Sequence, residues 1–253
     1  MVALYGGLTA IMVDLGLSDR LVGRTEADSE TPAVAALPVI GTHMRPNLER
    51  ILAVRPDLVL QMAGRVEATQ AVEQLTALHL PVAVFDVQDF PGLFAAIGRI
   101  GVLTGQEDTA KTRIAALQKR LDAVANTQAG PKPTVLFEVR SGSELAAGRK
   151  SMVNAVIAAA GGTNVVTEDK KLVRLSDEAL LAFAPQVCLT QRGPMNPEAR
   201  SLAERPQFAN LPCVRAGRAY VVEESLFSRP GPQSINAVEH LAKLLSSDSA
   251  GGK

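Results

Sequence analysis

The chain is 253 residues long and carries 26 basic and 26 acidic side chains, so its net charge is zero and it lacks the cationic footprint of a nucleic-acid binder. That length can bury a substantial core and sits where one core tends to divide into two. Hydrophobic residues make up 47% of it, yet no apolar run approaches the ~20 residues a membrane-spanning helix needs, which reads as soluble and globular.

The chain begins on the apolar run "VALY" (2–5), without a basic-then-apolar leader, which predicts either a cytoplasmic protein or one whose leader has been removed. Tyr5 closes this predicted strand, and Gly6 and Gly7 after it predict a sharp turn through which backbone approaches a ligand. The loop before residue 47 gathers His43, Met44 and Arg45. A short helix and the strand "DLVLQ" (57–61) follow, then Arg65 and Glu67, a lone His79, and the strand "VAVFD" (82–86). Thr104 with Glu107 three residues on has the pattern of a capping box, and Ile114, Leu117, Leu121 and Val124 fall on one face behind it. The pattern predicts one helix over 105–126, about 33 Å long, ended by Gly130, Pro131 and Pro133. Strands "TVLFEV" (134–139), "QVCLT" (186–190) and "AYVV" (219–222) come next, with Arg140 and Arg192 just past the first two. Cys188 and Cys213 have no metal-ligand spacing, and Cys188 in its apolar run reads as a small buried hydrophobe rather than a disulfide partner.

Strands alternating with helical segments make this an α/β chain of mainly parallel sheets. Its halves echo each other. "NLERILAVRPDLVL" (47–60) and "SDEALLAFAPQVCL" (176–189) align without gaps at an offset of 129, each with a cap residue (Asn47, Ser176), an early acid (Glu49, Glu178) and a helix-stopping proline (Pro56, Pro185). Two similar lobes, 1–103 and 128–253, are expected on either side of a helical strut at 104–127, with a cleft between them.

"VALYGGLTAIMVDLGLSDRLVGRT", "PNLERILAVRPDLVL", "GRKSMVNAVIAAAGGTNVV", "FANLPCVRAGRAYVV" and "SRPGPQSINAVEHLAKLL" stand in the order seen in substrate-binding proteins of ABC importers. Over residues 2–245 the chain resembles the subgroup with a rigid helical backbone, which includes iron-siderophore, haem and cobalamin receptors. The resemblance implies a monomeric extracytoplasmic receptor, periplasmic or a cell-surface lipoprotein, that needs no cofactor and delivers a small-molecule metal chelate to a membrane permease. A ferric siderophore leads; haem and a corrinoid are the alternatives. In such receptors one acid on each lobe meets the transporter, and Glu67 and Glu198 occupy comparable places. The position matching a ligand-contacting aromatic of the cobalamin receptor is His43, a possible axial ligand to a metal, a hydrogen-bond donor to a chelate, or a solvated loop residue.

Ligands of open parallel sheets bind beyond the carboxyl ends of the strands. Arg65, Arg140 and Arg192 stand there and offer planar donor forks to an anionic chelate, unless they are ordinary surface arginines. Phe227 and Arg229 precede the last helix; the ring either stacks on a planar ligand or fills the core. With seven Phe, two Tyr and no Trp, the chain is poor in rings for cobalamin. Three histidines, His79 and His240 being poorly placed, make capture of a bare metal ion improbable. The rival classes are a two-lobed enzyme or cofactor-assembly scaffold, for which no catalytic motif is found, and a sensing module.

Overall fold

Parallel strands buried on both faces read as continuous apolar runs, and such runs set the architecture here. The computed structural model describes residues 1–64, 66–142 and 145–246. In chain order they form β1 (Val2–Ala3), α1 (Gly6–Asp14), α2 (Leu48–Ala53), β2 (Val59–Met62), α3 (Val66–Ala77), β3 (Val82–Phe85), α4 (Phe90–Thr104) and α5 (Glu107–Ala125). There follow β4 (Thr134–Arg140), β5 (Leu145–Ala147), α6 (Met152–Ala159), β6 (Thr163–Asn164), β7 (Leu172–Arg174), α7 (Asp177–Phe183), β8 (Val187–Arg192), α8 (Pro212–Arg215), β9 (Ala219–Glu223), α9 (Glu224–Phe227) and α10 (Ser234–Ser246). The chain divides into two compact units, one ending at Ala116 and one beginning at Leu117, so the division falls inside α5. Among the described residues, no helix is long and apolar enough to cross a membrane.

The first unit holds a parallel sheet in the order β1-β2-β3, with Val2 opposite Val59 and Val59 opposite Val82. Its core includes Val2, Leu4, Ile40, Ile51, Val59 and Leu75, all fully buried. The free edge of β3 is covered by Arg99, which donates to the Val84 carbonyl at 2.7 Å and lies 4.9 Å from the Phe85 ring. Arg113, near the middle of α5, grips Asp14 at the end of α1 with two nitrogens, at 2.6 and 2.5 Å.

The second unit holds a sheet in the order β7-β5-β4-β8-β9, with β6 also pairing β4. The β4, β8 and β9 strands run parallel, whereas β5 is antiparallel to both β4 and β7. Leu136, Leu180, Leu202, Phe208 and Leu211 pack one face. On the other, Phe137 meets Phe227 with centroids 5.9 Å apart, and His240 of α10 meets Phe227 edge-on at 6.1 Å. Arg120 of α5 is held by Glu239 and Asn236 of α10, and the guanidinium keeps the Glu239 carboxyl below its ordinary value.

The structure corrects three expectations. Thr104 does not open a helix: it ends α4, its hydroxyl donating back to the Ile100 carbonyl at 2.7 Å, and left-handed Gly105 separates α4 from α5. Cys188 and Cys213 are joined in a disulfide whose two halves are buried, so the apolar run around Cys188 hid a crosslink from β8 to α8. Gly6 and Gly7 are no sharp turn; they form the first turn of α1, with Tyr5 as its N-cap residue two places beyond the end of β1.

The internal echo is reproduced residue by residue in local geometry. Asn47 and Ser176 each accept from the backbone three residues on, at 3.0 and 3.2 Å. Ile51 and Leu180 are buried, Leu52 and Leu181 exposed. Arg55 and Ala184, again 129 apart, both take the left-handed backbone, at φ 47° and 44°, just before the proline. That conformation costs an L-residue about 1–2 kcal/mol. Ala184→Gly is therefore expected to raise stability by about 0.5 kcal/mol after the extra freedom glycine gains in the unfolded chain is subtracted. A thermal melt should shift up by roughly 2 °C; no shift, or a fall, counts against strain at this joint.

Candidate functional site

In the first unit, the carboxyl end of the sheet carries two aromatic side chains from distant parts of the chain. The segment 41–46 closes as a tight hairpin: Gly41 bridges Pro46, the Thr42 amide donates to the Arg45 carbonyl at 3.2 Å, and the Arg45 amide donates to the Thr42 hydroxyl at 3.0 Å. Gly41 sits at φ 98°, and a Cβ there would lie 2.6 Å from the Arg45 carbonyl oxygen, so only glycine fits. This hairpin holds His43 half-buried, edge-on to the half-buried ring of Tyr5, with centroids 5.4 Å apart and planes at 87°. Gln61, fully buried on β2, donates to the His43 carbonyl at 3.4 Å while its Oε1 accepts from the Met62 amide at 2.8 Å. Met44 is half-buried and Arg45 exposed on the same hairpin. An imidazole and a phenol stand side by side, and each is a side chain that ligates haem iron.

In the second unit, Glu138 of β4 lies opposite Thr190 of β8 in parallel register, and two residues further along each strand come Arg140 and Arg192, both exposed. Neighbouring strands run about 4.8 Å apart, so two guanidinium stems leave adjacent strand ends. Below them lies a buried polar layer. Glu138 Oε2 accepts from the Thr190 hydroxyl at 3.0 Å, from Arg205 at 2.6 Å and from the Ser141 hydroxyl at 3.3 Å. The carboxylate side chain is 2% exposed and Arg205 12%, so this is a buried ion pair, and Arg205 also stacks 5.0 Å over Phe208. Gln191, fully buried, donates to Glu224 at 3.2 Å and accepts from the Ser228 hydroxyl.

The other expected site residues are placed as follows. Arg65 lies outside the described residues. Phe227 is 1% exposed between Phe137 and His240, so its ring is spent on the core and offers no face to a ligand. Arg229 is half-buried, and its carbonyl accepts from Gln233 at 2.8 Å. Glu67 is exposed in the first turn of α3, and Glu198 is exposed in the loop after β8. His79 lies in the turn two residues past α3, in the left-handed conformation, at φ 60°. Among the described residues no three His, Cys, Asp or Glu side chains converge to hold a metal ion. Sequence reasoning missed Gln61, Glu138, Thr190, Gln191 and Asn196. Their signal was a polar residue at the carboxyl end of a strand that is otherwise apolar, or in the turn just past it.

Comparison with known proteins follows the same lines. The model of a family described as periplasmic binding protein matches residues 1–226. An uncharacterised ABC transporter substrate-binding lipoprotein of Bacillus subtilis, YvrC, is 26% identical over 98% of this chain and 80% of its own length. A cobalamin-binding protein of Halobacterium salinarum is 25% identical over 96% of this chain and 68% of its own. Among solved structures, the periplasmic haem-binding protein RhuT of Roseiflexus sp. RS-1, in apo form, superposes with a TM-score of 0.83 at 25% identity, covering 97% of each chain.

Proposed function

Because the chain belongs to the periplasmic binding protein family, we propose that it captures an iron porphyrin outside the cytoplasmic membrane and hands it to the permease of an ABC importer. The observation that carries this reading is the contact between Tyr5 and His43 at the carboxyl end of the first sheet. Both side chains are axial ligands of haem iron. A hexadentate ferric siderophore, the class that ranks first from sequence alone, fills the coordination shell of its iron and would call on these two side chains only for hydrogen bonds. Tyr5 and His43 are assigned to the iron and, independently of them, Arg140 and Arg192 to carboxylates of the ligand. Two findings support the placement and the cargo. The buried Cys188–Cys213 disulfide suits an oxidising compartment, and a relative of similar fold is a haem-binding protein.

Cobalamin is the second reading, favoured by the Halobacterium salinarum relative. Delivery is assigned to exposed Glu67 and Glu198, each worth only about 0.2–1 kcal/mol against an arginine of the permease. Titrating the purified protein with haemin, cobalamin and a ferric siderophore tests the assignment. Haemin should saturate at a fixed stoichiometry and be returned chemically unchanged. His43→Ala should alter the Soret band and weaken binding about tenfold, whereas a His43→Ala spectrum identical to the parent's removes His43 as a ligand. If haemin binds more weakly than ~10 μM, about −7 kcal/mol, the porphyrin reading fails and the titration ranks the other two.

A further inference from the structure

The arginine-bearing strand ends are tied together by a side chain that no ligand contact explains. Asn196 is 6% exposed in the turn that follows β8. Its backbone closes that turn: the Asn196 amide donates to the Gly193 carbonyl at 2.8 Å, and the Gly193 amide returns a bond at 3.4 Å. The side chain is left to make longer-range bonds. Its Nδ2 donates to the Gln191 carbonyl at 2.9 Å and to the Ser141 hydroxyl at 3.1 Å. Gln191 is the residue before Arg192, and Ser141 is the residue after Arg140. A single primary amide therefore spans the two strand ends that carry the exposed guanidiniums.

The neighbours of Asn196 fix the direction of every bond. The Ser141 hydroxyl has one proton and gives it to Glu138 Oε2 at 3.3 Å, so toward Asn196 it is an acceptor. A backbone carbonyl is only an acceptor, so the position at 196 needs two donors pointing two ways. The NH2 of an asparagine supplies both; an aspartate of the same shape supplies neither and adds a negative charge beside buried Glu138. The turn is also tightly packed, since a Cβ at Gly193 would meet the Glu224 side chain at 2.5 Å. Glu224 in turn accepts from the Met195 amide at 3.3 Å. The residues around Asn196 are thus already occupied, and its amide adds a side-chain tie just past the point where the β4–β8 ladder ends.

We propose that Asn196 is the positioning residue of the Arg140 and Arg192 pair, holding the two guanidiniums at the spacing from which they grip the carboxylates of the ligand. The proposal rests on the reading of those arginines as ligand contacts. Fixing a donor pair in advance matters because small misplacement of a charge-assisted bond removes much of its value.

The test is a double-mutant cycle read with haemin on the full chain. Asn196→Asp is expected to weaken haemin binding about tenfold in the parent and to have no further effect in the Arg140→Ala/Arg192→Ala background. Asn196→Ser, which removes the amide without adding charge, serves as the second variant if the aspartate variant does not fold. Binding of haemin dimethyl ester, which has no carboxylates, should be the same for Asn196→Asp and the parent. An Asn196 variant that binds haemin like the parent, while the arginine variant is weak, overturns the positioning role alone. A tenfold loss that persists without the arginines, or that appears equally with the ester, shows a merely structural role and overturns it too. If the arginine variant binds as tightly as the parent, or the parent does not bind haemin, the underlying assignment fails and this inference falls with it.

Discussion

Replacing Arg140 and Arg192 together by alanine is expected to weaken haemin binding about 100-fold. Both side chains are exposed as the last residues of neighbouring parallel strands, just beyond the buried polar layer of Glu138 and Thr190. A charge-assisted hydrogen bond contributes about 1.5–3 kcal/mol where water is excluded, and less at an exposed strand end. Taking roughly 1.4 kcal/mol for each arginine gives two factors of ten. The single variants should each lose about tenfold, and the loss should shrink at high salt because exposed charges are screened over about 10 Å at 0.1 M. Haemin dimethyl ester should bind the parent and the double variant alike. A double variant whose haemin affinity stays within threefold of the parent's would falsify the assignment of these arginines to the ligand.

The second large effect concerns the crosslink from β8 to α8. Cys188 and Cys213 are 25 residues apart in sequence. Closing a loop of that length removes chain entropy from the unfolded state worth roughly 3 kcal/mol. Cys188→Ala/Cys213→Ala is expected to lower the unfolding free energy by about that much, read from the urea midpoint at unchanged slope. Both sulfurs are buried, so dithiothreitol should leave the folded parent untouched at low temperature and act only once the second unit opens. Thereafter the reduced parent should melt like the alanine variant, and the alanine variant should ignore the reductant. If the parent and the variant share one midpoint without reductant, the bond contributes nothing to stability.

What could be read from the sequence was whatever a local pattern encodes. The strands β2, β4 and β8 stood out because a strand buried on both faces reads as a mainly apolar run, β3 and β9 stood out by their valine-rich runs although they are only partly buried, and the prolines at 56 and 185 marked where helix gives way to strand. The strands β5 and β7 were missed. At three residues each they have no periodicity; β5 exists because β4 offers an edge to pair with, and β7 because β5 does. Thr104 misled because Thr-x-x-Glu is written identically whether the threonine opens one helix or closes another; only the left-handed Gly105 decides it. The disulfide left no trace because its partners sit in unrelated local contexts. For the site, the arginines were visible from position alone. The Tyr5 contact with His43 was not, since 38 residues separate them and the fold alone makes them neighbours. Asn196 was hidden more deeply: in "GPMNP" an asparagine signals a turn, and it does make one, which masks the second task of its amide.

The guard placed on β3 has a bearing on how this protein behaves in company. A parallel sheet that stops at an outer strand leaves carbonyls able to recruit a strand from another molecule, and growth of that kind leads to fibrous aggregates. Here a guanidinium already occupies the Val84 carbonyl and lies over the adjacent ring, so an incoming chain would have to displace a cation before it could add itself to the first sheet. Arg99 thus leaves that edge one carbonyl poorer as a template for an added strand, an effect unrelated to whatever cargo the molecule carries.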